Sequence, residues 1–131
     1  MRLRILVTAL LIVMVGFTSA QKGDKKTGKL GYKYKMQDAR HKFLSEGNVR
    51  AALNTYKELL TQYTNDATLN YRVGECHLKM KNYSIAVDYF QNARRMNPEV
   101  DSELNLYLGE AYHSNNQLEK ALEAYQLYAN N

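Results

Sequence analysis

From about Tyr32 to the last residues of the chain, apolar positions recur every three or four residues. Short polar breaks interrupt them at Glu46-Gly47-Asn48, Thr64-Asn65-Asp66, Lys81-Asn82, Asn97-Pro98 and Ser114-Asn115-Asn116. Apolar spacing of this kind marks amphipathic helices, and the breaks carry turn-forming and cap-forming residues. The pattern therefore predicts six helical segments of about 12 to 14 residues joined by short turns.

The segments are self-similar. Val73, Gly74, Ala86 and Phe90 return as Leu108, Gly109, Ala121 and Tyr125, each 35 residues later, while Ala52 and Tyr56 anticipate Ala86 and Phe90 by 34. Three helical hairpins follow, over about residues 32–66, 67–101 and 102–131. In the second, Val73, Gly74 and His77 share one face of the first helix, and Tyr83, Ala86, Val87, Phe90 and Ala93 share one face of the next. These faces are expected to pack antiparallel, with Gly74 and Ala86 small where the helices come closest and Phe90 filling the space beyond. A single hairpin buries too little apolar surface to stand alone, so stacking supplies the core.

Gly74, Ala86, Phe90, Ala93 and Pro98 have the order and spacing of the tetratricopeptide repeat family, and Leu108, Gly109, Tyr112, Ala121 and Tyr125 repeat it. The chain resembles that family over about 98 residues. His77 fills the family's tyrosine-type site in the second unit, and a 34-residue offset puts Arg40 in the place of the small residue in the first. The resemblance implies an all-α, right-handed α-solenoid of three helical hairpins whose concave groove binds protein or peptide segments. The groove residues it implies are Tyr34, Gln37, His41, Leu44 and Ser45 in unit one. In unit two they are Thr68, Tyr71, Glu75, Leu78 and Lys79, and in unit three Glu103, Leu106, Glu110, His113 and Ser114. Some members clamp a peptide's terminal carboxylate with Lys, Asn and Arg. Here Gln37, His41, Glu103 and Tyr107 stand at those sites, which favours a partner with basic or aromatic character over an acidic tail.

The region before the repeats concerns cellular address. Arg2 and Arg4 precede an apolar run from Ile5 to Phe17, and Thr18-Ser19-Ala20 supplies small residues. This is the layout of a secretory signal peptide, residues 1–20, with the mature chain starting at Gln21. An uncleaved anchor is the alternative, but a run of 13 residues falls short of the roughly 20 that a spanning helix needs. No Cys lies near the cut to carry a lipid. Residues 21–35 then hold six Lys and one Asp, whereas residues 36–131 hold 10 cations and 12 anions. The basic balance of the whole chain thus belongs to its start, and the Lys/Gly-rich segment 21–31 reads as a flexible lead-in. Contact with an anionic envelope surface is its functional alternative. Nucleic acid is disfavoured, because the body has no basic stripe.

Composition narrows the chemistry. With 131 residues the chain holds one small domain, and its single Cys, Cys76, has no partner for an internal disulfide, so it reads as a small core hydrophobe. His41, His77 and His113 are spaced evenly by 36 residues, but repeats that advance by 34 and 35 place them on different helix facets, and no ligand set for a metal is completed. There is no phosphate loop or nucleophile elbow. Glu75 and Glu110 recur on one facet and read as a solvated groove wall. No enzyme activity, cofactor or small-molecule substrate is expected.

The signal peptide, the lysine-rich lead-in and the Gly47-Asn48-x-x-x-Ala52-Leu53 opening also look like the N-terminal repeat module of Bacteroidota-type envelope proteins. In those proteins a β-propeller and an OmpA-like peptidoglycan-binding domain commonly follow. Neither does so here, nor does a polar capping helix, which leaves open a fragment of a longer protein. The expected function is an exported scaffold or adaptor for protein–protein interaction, periplasmic or associated with the outer membrane. The alternatives are a subunit of an assembly or secretion machinery and the N-terminal module of an OmpA-like protein. Export predicts a mature species lacking residues 1–20, and intact-mass measurement of the envelope fraction checks it; retention of Met1–Ala20 there would indicate an anchor.

Overall fold

The computed structural model describes residues 24–131, with side chains from residue 28 onward; the expected signal peptide and residues 21–23 lie outside them. The described residues form six α-helices and no strand: α1 (Asp24–Leu44), α2 (Val49–Gln62), α3 (Ala67–Lys79), α4 (Tyr83–Met96), α5 (Leu104–Ser114) and α6 (Leu118–Ala129). The chain divides into two units, of which the second is residues 35–131. Every packing interaction described below lies within the second unit.

Helix α1 begins at Asp24 rather than near Tyr32, so residues 24–31 of the expected flexible segment are helical. Lysine is a good helix former because its unbranched stem loses little rotamer freedom there. Periodicity does not register this stretch, since a helix of lysines has no apolar stripe.

The starts of α2 and α3 are capped as the polar breaks suggest, whereas those of α4, α5 and α6 have no side-chain cap hydrogen bond. Asn48 Oδ1 accepts from Ala51 N at 3.2 Å, and Asp66 Oδ1 accepts from Leu69 N at 2.9 Å. Each hairpin turns through one residue in the left-handed region: Gly47 (φ 64°), Lys81 (φ 62°) and Asn116 (φ 58°). Their closing hydrogen bonds differ in span. Asn82 N donates to His77 O and Gln117 N to Tyr112 O, both at 2.9 Å and five residues back, whereas Asn48 N reaches Lys42 O at 2.8 Å, six residues back.

The first turn is therefore one residue longer than the others, which corrects the register of unit one. The first helices end at Leu44, Lys79 and Ser114, 35 residues apart each time. Counted on that interval, the small position before Gly74 and Gly109 is Ala39, which is wholly buried, and Arg40 is released from the packing face. The 34-residue offset holds only for the second helices, beyond the longer turn.

The hairpins lock by small against large. A Cβ on Gly74 would lie 2.7 Å from two ring carbons of Phe90, and one on Gly109 would lie 2.5 Å from Tyr125. Phe90 thus lies on Gly74 itself, rather than only beyond it. Ala39 and Tyr56, both fully buried, hold the corresponding positions in the first hairpin. Helices then pack in chain order from α2 to α6, and α3 also touches α5. A continuous core runs through Tyr71, Ala86, Val87, Phe90 and Ala93 into Leu104, Leu108, Ala111 and Tyr112, reaching Ala121 and Ala124 of the last helix. Cys76 is free and buried within the stack, as a small hydrophobe would be. This is the tetratricopeptide-like, all-α solenoid of three hairpins that the repeats imply.

Gly74→Ala should destabilise the protein although alanine favours helix. Overpacking typically costs about 1–3 kcal/mol against a propensity gain of about 1 kcal/mol, and Phe90 is fully buried. Gly31→Ala, whose Cβ would meet nothing within 4 Å, should raise stability by about 0.5–1 kcal/mol. Thermal melts of the two variants distinguish these outcomes.

Candidate functional site

The first helices α1, α3 and α5 supply the side chains of the site. Reading the register at 35 residues puts Arg40, Glu75 and Glu110 in one column across the three hairpins, with Phe43 before Leu78 and Leu44 before Lys79 in neighbouring columns. These residues converge on one pocket of about 230 Å³, lined by Arg40, Phe43, Leu44, Glu75, Leu78, Lys79, Tyr107 and Glu110. Its walls are apolar, from Phe43, Leu44, Leu78 and the ring of Tyr107. Its polar groups are two cations and two carboxylates.

The charges are not equivalent. Glu75 is buried, its side chain only 8% exposed, so its carboxylate needs partners inside the protein. Arg72, one helical turn earlier, donates from Nη1 to Glu75 Oε2 at 2.7 Å. Arg40 donates from Nη1 to both carboxylate oxygens, at 3.2 and 3.4 Å. Arg72 also lies 3.7 Å from Asp101, ahead of α5, and its guanidinium sits 4.9 Å over the ring of Tyr71. Burial opposes the charge of Arg72, but the hydrogen bond and field of Glu75 outweigh it and leave its pKa raised. This chain of ion pairs ties α1, α3 and the approach to α5 together.

Tyr71 departs most from its expected place. It lies in the core, 1% exposed, with its ring centroid 5.8 Å from that of Phe90 and 6.3 Å from that of Tyr107. Helix α3 has neighbours on several sides, and α5 closes over part of its inner face, leaving no open surface for a large ring. Burial pushes the Tyr71 phenol well above its ordinary range. Glu75 likewise is no solvated wall, since its charge is consumed by the two arginines.

Among the residues expected in the groove, Glu75, Lys79 and Glu110 do meet at the pocket, together with Leu44 and Leu78. Gln37 and His41 are exposed and do not line it; His41 lies one helix position, about 100°, from Arg40, which does. His41 Nδ1 instead lies 3.2 Å from Glu46 Oε1. Tyr34 belongs to the other compact unit and is exposed. Thr68 and Leu106 are half-buried outside the pocket, and His113 is exposed outside it. Glu103, also outside, accepts a hydrogen bond from the Tyr107 hydroxyl at 2.7 Å, which raises the Tyr107 pKa to about 12. Arg40 and Phe43 escaped the sequence reading, and the signal that finds them is the 35-residue interval between first helices.

Other candidate chemistry falls into the packing. Burial pushes the Cys76 thiol up to about 12, which keeps it protonated and unreactive as a nucleophile at neutral pH. His77 is buried and stacked on Tyr89, centroids 5.7 Å apart; burial, and secondarily the charge of Lys57, lowers its pKa. Among the described residues no cluster of three or more His, Cys, Asp or Glu is placed to hold a metal ion.

Residues 77–131 match the tetratricopeptide repeat family, from the end of α3 through the third hairpin. No curated protein matches the chain. Fold and match together support a helical-repeat scaffold for protein–protein interaction, the usual role of such repeats.

Since Glu75 pairs with two arginines, Glu75→Ala should act on stability before it acts on binding. Removing one member of a buried ion pair costs about 3–5 kcal/mol, and the partial exposure of Arg40 sets the expectation near the lower end of that range. Urea denaturation of the variant measures it; a midpoint equal to wild type would show that the arginines find solvent without penalty.

Proposed function

We propose that the chain is an exported scaffold that captures a segment of another protein, inserting an apolar side chain of that segment into the pocket between α1, α3 and α5. The observation that carries this reading is the pocket itself, where Phe43, Leu44, Leu78 and Tyr107 make apolar walls beside Arg40, Lys79 and Glu110. A small apolar site with a few convergent polar groups is the form that ligand sites usually take. With Glu75 occupied by Arg72 and Arg40, the groove offers a partner the cation Lys79 and the carboxylate Glu110. The anchor is therefore expected between flanking groups of both signs, rather than in a uniformly basic segment.

The address rests on residues 1–20, whose charged start, apolar run and small residues are those of a secretory leader. It supports a periplasmic or outer-membrane site of action. The lysines of residues 22–35 would then lie near an anionic envelope surface. A subunit of an envelope assembly machinery and an OmpA-like module remain readings of the same address.

Panning a phage-displayed random peptide library on the purified protein tests the pocket. Enriched peptides should share an apolar anchor, and Phe43→Ser with Leu78→Ser should weaken their binding at least about tenfold, the scale of losing buried apolar contacts, with circular dichroism unchanged. Lys79→Glu and Glu110→Lys should shift the charge of the enriched flanks in opposite directions. Equal binding by all variants would place capture outside the pocket.

A further inference from the structure

Helix α1 opens on a run of uncompensated charge. Between Asp24 and Asp38 the sequence holds Lys25, Lys26, Lys29, Lys33 and Lys35 and no acidic residue. Lys25, Lys29 and Lys33 stand four apart and so share one column of the helix, a spacing at which like charges repel and weaken it. Later cations of α1 find anions: Lys35 pairs with Glu58, Arg40 with Glu75 and Lys42 with Asp38. Among the described residues no acidic group pairs with Lys29 or Lys33, and both are exposed.

Apolar side chains are set into the same stretch. Leu30 is 54% exposed and Tyr34 63%. They too stand four apart, and their column lies one helix position, about 100°, from that of the lysines. A Cβ added at Gly31 would meet nothing within 4 Å, so this turn of α1 is open on a further side as well. Lysine stems can lie along apolar material while their ammonium heads stay at a charged layer. Tyrosine suits a boundary where an apolar body and a polar tip meet different media. A polyanion without an apolar layer would use the charges and leave Leu30 and Tyr34 in water.

We infer that residues 25–34 of α1 form an interfacial segment that lies on an anionic phospholipid bilayer. The lysine column meets the lipid phosphates, and Leu30 with Tyr34 enters the boundary between headgroups and acyl chains. Charge draws the helix to the surface, and the apolar pair selects a bilayer over a charged polymer. This rests on the envelope contact proposed above for the same lysines and specifies its chemistry, lipid phosphate over an apolar layer.

The chain contains no Trp, so Tyr34→Trp places a single indole at this site. The purified protein is titrated at low salt with vesicles of equimolar phosphatidylglycerol and phosphatidylcholine. A blue shift of the emission is expected as the indole leaves water, absent with phosphatidylcholine alone and reversed at high salt, where screening removes the attraction. In the same background Lys29→Glu with Lys33→Glu should weaken vesicle binding at least about tenfold, since each lysine near the surface is worth a several-fold change. Lys and Glu are both good helix formers, so that loss is not a loss of helix, and peptide capture by the pocket should be unchanged. Arg50→Glu with Arg95→Glu, at exposed positions of the second unit, alters net charge equally and should leave the blue shift in place. An emission that does not move on the anionic vesicles, while heparin binds, overturns the proposal in favour of a polyanion. A blue shift that is equal on neutral vesicles, or that survives the lysine changes, also overturns it and is the behaviour of an anchor at residues 1–20, whose presence intact mass reports independently.

Discussion

Close approach of a glycine to an aromatic ring is the constraint on which the stack depends. Gly74 and Gly109 remove the one atom that would strike Phe90 and Tyr125, so paired helices can draw together along their small faces. Without that approach the rings would stand off, and the second helices would not bring Ala86, Ala93, Ala121 and Ala124 into the continuous core. The same aromatic residues extend the contact inward. Phe90 meets Tyr71, and both meet Tyr107 of the next hairpin, so the interlock within one hairpin also sets the interface to its neighbour.

Burial of Tyr71 has an electrostatic counterpart. Once its ring occupies the inner side of α3, Arg72 lies over it and is directed to Glu75 and Asp101. Arg40 completes the set from α1. A desolvated carboxylate with two guanidinium partners is weak evidence for net stability, because desolvation offsets the attraction. Its clearer effect is on the pocket, where it occupies one carboxylate internally and leaves Lys79 and Glu110 as charged lining groups without a share in that network. The apolar walls beside them set the pocket's preference.

Much of the architecture was legible from spacing alone. The recurrence of Gly74 as Gly109 and of Phe90 as Tyr125 identified both the helix pairs and the small-against-large contact within them. Glu75, Lys79 and Glu110 share one pocket, as the common facet assigned to them by their repeat positions implies. Arg40 and Phe43 were missed because the extra residue in the turn before α2 changes the interval, and an offset carried across it from the second helices rotates α1 by one position. That error turned attention to Tyr34, Gln37 and His41. It also put an arginine where Ala39 packs.

Sequence by itself determined the helix count, the three-hairpin plan and the identity of the interlocking residues, since these follow from apolar periodicity and from steric size at fixed intervals. Tertiary structure decided which facets remain open. Tyr71 and Leu106 hold equivalent positions, yet one is core and the other half-buried; Val87 and Leu122 are equivalent, yet one is covered and the other exposed. A repeat sequence specifies each side chain's direction, whereas exposure depends on what the neighbouring helices place against it, and that neighbourhood differs from the middle of a stack to its ends.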